Sequence, residues 1–255
     1  MNKINKSTSV PPTLIKKGNK ETEELCKLVD AGVTDLSFKN EVYAAADVKK
    51  QLKIDQHGKC AYCERFLNGD YGAVEHFRPK GGYDSGKEDV LHKPGYYWLA
   101  YSWDNLLYSC SECNTSYKRN HFPLLDETTR NISSRDIEQE TPILLHPALE
   151  NVGDYLAFVR NQLIAKDGSP KDTQRARGTI ELLGLNRPEL LQRRRQCWEN
   201  FENCCDIREI ALAEGNVEIV DLCDSKIAKM ASEDAEFTGM FRYQLAAVKT
   251  NNGVI

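Results

Sequence analysis

The sequence contains no apolar run approaching the roughly 18 residues that a membrane-spanning helix needs, so no transmembrane segment is expected. The first residues (MNKINKSTSVPPTLIKKGNK) are polar and lysine-rich and lack the apolar stretch of a signal peptide. A cytoplasmic location is expected by default. An excess of positive charge is also missing. The net charge is −4 and the pI about 5.8. That excludes a generally basic nucleic-acid binder and leaves any phosphate contact to local patches. There are no internal repeats and no low-complexity tracts. An even set of cysteines is missing too: there are nine in 255 residues, and a disulfide framework is not expected in a cytosolic chain of this length. Four of the nine fall into two C-x-x-C pairs, which makes metal binding the first hypothesis.

The chain divides by texture. Residues 1–54 form a lead-in, extended or disordered over 1–20 because Pro11-Pro12 opposes helix, and then helices. Their apolar stripes are Leu25, Leu28 and Val29, then Val42, Ala45, Val48, Leu52 and Ile54. Residues 55–130 concentrate cysteine, glycine, histidine and aromatics without regular periodicity, as a small metal-organised module does. Residues 131–255 begin with a polar connector. A hairpin follows, with strands from Tyr155 to Val159 and from Leu163 to Ala165 and a turn at Asp167-Gly168. The rest is helical. Asp172 caps a helix stopping near Gly184, and further helices run from about Glu189 to Ala213, Val217 to Met230 and Glu233 to Val248, the last capped by Ser232.

The pairs are Cys60-Ala61-Tyr62-Cys63 and Cys110-Ser111-Glu112-Cys113. Four thiolates suit a closed tetrahedral Zn²⁺ site, which leaves no open position for water and so is structural. The 46 residues between the pairs must fold between the halves of the knuckle, and any chemistry has to come from them or from their edges. There lie Val74-Glu75-His76-Phe77-Arg78-Pro79-Lys80, then Trp103-Asp104-Asn105-Leu106, and, just past the second pair, Asn114 and Lys118. A histidine titrating near neutrality takes protons from water, and a carboxylate with a carboxamide suits a hard divalent ion.

This order of carboxylate-His, Asn-Leu and C-x-x-C-Asn with a nearby lysine resembles the HNH nuclease family. The resemblance implies a ββα-metal fold, with His76 as the general base, Glu75 and Asn114 as ligands of Mg²⁺ or Mn²⁺, and Asn105 as the middle asparagine that shapes the loop. It also implies that Cys60, Cys63, Cys110 and Cys113 bind structural zinc. The phrases Lys59-Cys60-Ala61-Tyr62-Cys63-Glu64, Tyr97-Trp98-Leu99-Ala100-Tyr101, Asn120-His121-Phe122-Pro123-Leu124 and Thr179 to Asn186 are similar to PtuB-type HNH proteins across about residues 45–255. That likeness implies an anti-phage Septu or retron role beside a PtuA-type ATPase, docked through the C-terminal helices, whose stripes such as Leu190, Leu191, Trp198 and Phe201 bury either in the chain's own core or in a partner's groove.

Arg78, Lys80, Lys118 and Arg119 crowd the site in sequence and are read as phosphate contacts. His57, His92 and His146 are read as loop or surface residues. His121, seven residues after Asn114, is two helical turns on and so within reach of the metal or the phosphate. Cys197, Cys204, Cys205 and Cys223 are read as small buried hydrophobes. The expected fold is α+β, a ββα module with its zinc knuckle embedded in a mostly helical protein. The expected function is phosphodiester hydrolysis, of DNA or of a tRNA. The alternative is a knuckle module that recruits nucleic acid or a partner without cutting.

Overall fold

The computed structural model describes residues 1–67, 72–86 and 90–251. The N-terminal segment is ordered, not the free lead-in that its composition predicts. Met1 and Ile4 are buried, and the Ile4 N–H donates to the Pro147 carbonyl at 2.8 Å. Pro11-Pro12 starts a helix instead of preventing one. The Pro11 carbonyl accepts from Leu14 and Ile15, and a proline in the first turn loses no bond because its missing N–H has no partner there anyway. The helix opens with a π turn over Leu14–Gly18 and continues as α1 (Asn19–Asp30). Next come α2 (Asn40–Tyr43) and α3 (Ala46–Asp55). Leu25, Val48 and Leu52 are buried as expected, but Leu28 and Ile54 face solvent.

β1 (Gly72–His76) pairs antiparallel with β2 (Leu106–Cys110), with Gly72 opposite Cys110 and His76 opposite Leu106. A side chain at Gly72 would strike the Tyr108 ring, since a Cβ there would lie 2.1 Å from its Cζ. A π-helical turn, Glu112–Lys118, follows β2 directly. The strand pair and the turn lie next to one another.

A second hairpin joins β3 (Leu156–Val159) to β4 (Gln162–Ala165). Its turn is Arg160-Asn161, with Arg160 at φ 53°, and Asp167-Gly168 lies beyond it. In α4 (Pro170–Leu182) the cap is Ser169, whose Oγ accepts from the Asp172 N–H, so Asp172 sits inside the first turn. α4 ends before Gly184 at φ 53°, as expected. α5 (Pro188–Ala213) and α6 (Val217–Met230) match their expected spans. α7 (Thr238–Asn251) starts later than expected. Ser232 Oγ donates to the Lys229 carbonyl at 2.6 Å instead of capping, and buried Phe237 at φ 55° breaks the chain before the helix.

One hydrophobic cluster runs through all three segments, from Leu52 through Tyr62, Leu106 and Phe122 to Trp198 and Phe241. The architecture is α+β, with small sheets set among helices. No helix among the described residues is long and apolar enough to cross a membrane.

Candidate functional site

The two C-x-x-C turns meet at the end of the β1–β2 pair. Cys60 and Cys63 flank a tight turn in which the Cys60 N–H donates to the Arg65 carbonyl at 2.9 Å and Glu64 takes φ 62°. Cys110 ends β2, and Cys113 stands in the π-helical turn. The Ala61 N–H donates to the Tyr108 carbonyl at 2.9 Å, which docks the first turn on β2. Arg65 and Glu112, one from each half, pair at 2.5 Å.

All four sulfurs are buried and lie within 4.8 Å of one another. The Cys63 and Cys110 sulfurs are 3.8 Å apart. A tetrahedral ion at about 2.3 Å from each thiolate would put sulfurs about 3.8 Å apart, so the set fits one mononuclear ion. Backbone N–H groups of Cys110 and Cys113 point at the Cys60 and Cys110 sulfurs at 3.4 Å, as donors to thiolates do. Burial pushes the Cys60 thiol well up, whereas contacts with the neighbouring cysteines hold Cys63 and Cys110 down, so a cation is what makes thiolates of all four.

Beside the knuckle is a cleft of about 510 Å³ whose walls include Glu75, His76, Lys80, Asn114, Arg119 and Asn120. Glu75 and His76 come from the end of β1 and Asn114 from the π-helical turn, so the β1–β2–turn frame places them together. His76 Nε2 lies 2.9 Å from the Ala100 carbonyl. A carbonyl only accepts, so Nε2 carries the hydrogen and Nδ1 is the basic nitrogen. The Tyr43 ring stands edge-on to the imidazole at 4.8 Å. Burial, with Lys80 and Lys118 nearby, holds His76 well below the usual imidazole range and keeps it neutral. Burial raises the Glu75 carboxyl, and Lys118 and Lys80 oppose that shift. The Tyr62 phenol, inside the first C-x-x-C turn, is buried near Glu75 and pushed well up by that burial.

Asn105 is buried behind the cleft. Its Oδ1 accepts from the Arg78 N–H at 2.8 Å, and its Nδ2 donates to the Arg78 and Leu99 carbonyls at 3.1 Å. It therefore ties the strand after His76 to the segment whose Ala100 carbonyl holds the imidazole.

The four expected phosphate contacts separate. Lys80 and Arg119 line the cleft. Lys80 Nζ lies over the Tyr43 ring at 4.8 Å, and burial lowers its ammonium. Arg78 and Lys118 are corrected, because neither presents a free cation. Arg78 is buried in an ion pair with Glu140. Lys118, 1% exposed, donates to the His76 carbonyl at 2.9 Å and sits 2.6 Å from Glu75 Oε1.

Three other histidines stand outside the cleft. His57 is exposed near Glu233. His121 Nδ1 is engaged by Asp84 at 2.7 Å. His146 is buried rather than a surface residue, and its Nδ1 accepts from the Ala148 and Leu149 N–H groups at 3.1 Å. Of the helical cysteines only Cys223 is fully buried; Cys197, Cys204 and Cys205 are half-buried. Sequence reasoning missed Tyr43, Glu140 and Arg187, whose Nη1 donates to the Cys113 sulfur at 3.6 Å. These come from distant segments, and no local pattern marks them.

No protein-family model matches the chain. Among curated proteins it is 36% identical over 183 residues to the Septu protein PtuB of Bacillus mycoides (strain KBAB4), across 71% of this chain and 59% of that protein. It is 26% identical over 159 residues to the Septu protein PtuA of the same strain, across 62% of this chain and 22% of that one. The chain thus spans little more than half of the first relative and about a fifth of the second. The chain is similar to the Septu protein PtuB over most of its own length.

Proposed function

We propose that this chain is a metal-dependent HNH endonuclease acting in the cytoplasm as the effector of an anti-phage defence complex with a PtuA-type ATPase. The observation that carries the reading is the convergence of Glu75, His76 and Asn114 on one cleft beside a four-cysteine cluster. Zinc in the cluster would be structural. It would fix the π-helical turn that carries Asn114 against the β2 end, and it has no open position.

Mg²⁺ or Mn²⁺ held by Glu75 and Asn114 would supply charge stabilisation for phosphodiester hydrolysis. His76 Nδ1 takes the proton of the attacking water, while Nε2–H stays bonded to the Ala100 carbonyl and fixes the ring. Asn105 holds that carbonyl's segment in place. Lys80 and Arg119 bind the phosphates on either side of the scissile bond. DNA is the preferred substrate.

One observation favours a non-cleaving knuckle module instead. Lys118 already supplies a cation to Glu75 at 2.6 Å, where a metal would compete with it. Nicking of supercoiled DNA, with tRNA cleavage assayed in parallel, separates the two readings. Cutting that needs Mg²⁺ or Mn²⁺ and stops with EDTA supports the enzyme, and binding without cutting supports the module.

The partner surface follows from burial. Of the two places open to Leu190, Trp198 and Phe201, the chain's own core or a partner's groove, they take the first. The exposed apolar residues of α5 and α6 are others, including Ile207, Ile210, Val217 and Leu222. These helices would carry the ATPase contact. Ile210→Glu with Leu222→Glu should abolish co-purification with that subunit and leave the fold intact.

A further inference from the structure

We propose that Arg187 and Arg194 are the charge partners of a divalent metal–thiolate centre in the four-cysteine cluster, and that they couple its occupancy to the docking of α5. The inference rests on the metal reading of that cluster and goes beyond it.

The two residues lie seven apart, two turns of helix, at the start of α5, and both turn into the protein. Arg187 Nη1 donates to the Cys113 sulfur at 3.6 Å and to the Gly184 carbonyl at 3.1 Å, and its Nη2 is buried without a hydrogen-bond partner. Arg194 is 1% exposed. Its Nη1 donates to the Leu185 carbonyl at 2.7 Å, while its Nε and Nη2 are buried with no partner. Glu64, the acid whose charge acts most on Arg194, is already paired with the Met1 ammonium at 2.7 Å, which leaves the charges of Cys63 and Cys113 to act on Arg194 in the same sense.

Two guanidiniums do not sit in a protein interior without counter-charge. Four thiolates around a divalent ion carry a net charge of about −2, which two guanidiniums balance. Four neutral thiols would balance nothing. The charge sum thus favours a mononuclear divalent centre and makes its loss a cost to α5 in particular.

The steric link is as direct as the electrostatic one. A Cβ at Gly184 would lie 2.0 Å from the Tyr117 ring, so the α4–α5 turn is pressed against the π-helical turn that carries both Cys113 and Asn114. Emptying the cluster leaves Arg187 and Arg194 uncompensated at that contact. α5 then loosens from the module, and the wall of the cleft that bears Asn114 loses its backing.

The test uses full-length protein and reads metal content, transfer of zinc to a competing chelator, and hydrogen exchange. In the parent protein, chelation should raise exchange over about residues 184–201 more than over β3 and β4. Arg187→Gln and Arg194→Met should each speed zinc loss, roughly 10–100-fold. Arg187→Lys, which keeps the charge, should recover part of the retention.

In the metal-free state the sign reverses. Arg194→Met should protect the start of α5 better than the parent does, because an uncompensated charge has been removed. A residue that only fills space cannot give that reversal. Unchanged zinc transfer in both variants, or equal loosening of α5 with and without metal, overturns the proposal. If Arg194→Met does not fold, the parent exchange pattern and Arg187→Gln decide alone. Fresh protein that holds no metal by elemental analysis would instead defeat the underlying metal reading.

Discussion

Asn105→Ala removes a side chain that serves three backbone groups at once. The Arg78 N–H loses its acceptor, and the Arg78 and Leu99 carbonyls lose their donor. Each buried group left unpaired costs about 1–3 kcal/mol. A simple sum is about 3–9 kcal/mol, and water entering the small void would bring the loss to the lower end, about 3–4 kcal/mol. At roughly 2–4 °C per kcal/mol for a chain of this size, the apparent Tm should fall by about 6–16 °C. Asn105→Asp should be as harmful, since it turns an oxygen toward two carbonyls. Zinc content should not change, because Asn105 makes no contact with the cysteine cluster. Scanning calorimetry with elemental analysis checks both parts. A Tm within about 2 °C of the parent would show that the Asn105 bonds do not hold this loop, and the account of how His76 is positioned would fall with them.

Cys110→Ser should lose the metal and fold poorly, read as zinc per chain and soluble yield, because metal binding is coupled to folding. Gly184→Ala adds a Cβ 2.0 Å from Tyr117 at a residue of φ 53°, and should cost about 2–4 kcal/mol in thermal or urea unfolding. His146 is held neutral, its pKa pushed down to about 3 by burial. The unfolded chain therefore takes up that proton first as pH falls below about 6.5, and stability drains between there and pH 3. Against His146→Asn, the parent should lose up to about 1.4 kcal/mol more per pH unit in that window, and parallel pH profiles would rule this out.

The four-cysteine cluster was legible because it is written in adjacent residues. Each C-x-x-C turn is local. α6 lies where its apolar pattern put it, and the structure adds the cap, Asn216 Oδ1 accepting from the Ile219 N–H at 3.2 Å. The illegible parts depend on distant partners or on unusual backbone. Pro11-Pro12 reads as a helix breaker, yet it starts one once the Pro11 carbonyl is used as the first acceptor. The hairpin turn uses Arg160 at positive φ, where the sequence pattern points to Asp167-Gly168. Arg78 and Lys118 look like surface cations in sequence. Glu140 and Glu75, the carboxylates that bury them, lie 62 and 43 residues away.

The central claim is that His76, in the cleft with Glu75 and Asn114, activates water for phosphodiester cleavage. The most direct measurement is single-turnover nicking of supercoiled DNA by purified protein, together with the PtuA-type ATPase, comparing the parent with His76→Ala in Mg²⁺ or Mn²⁺. Cleavage by the parent that EDTA abolishes, and that falls roughly 10²–10⁴-fold in His76→Ala while zinc content and DNA binding are kept, is the predicted result. Equal rates in the two proteins would contradict it.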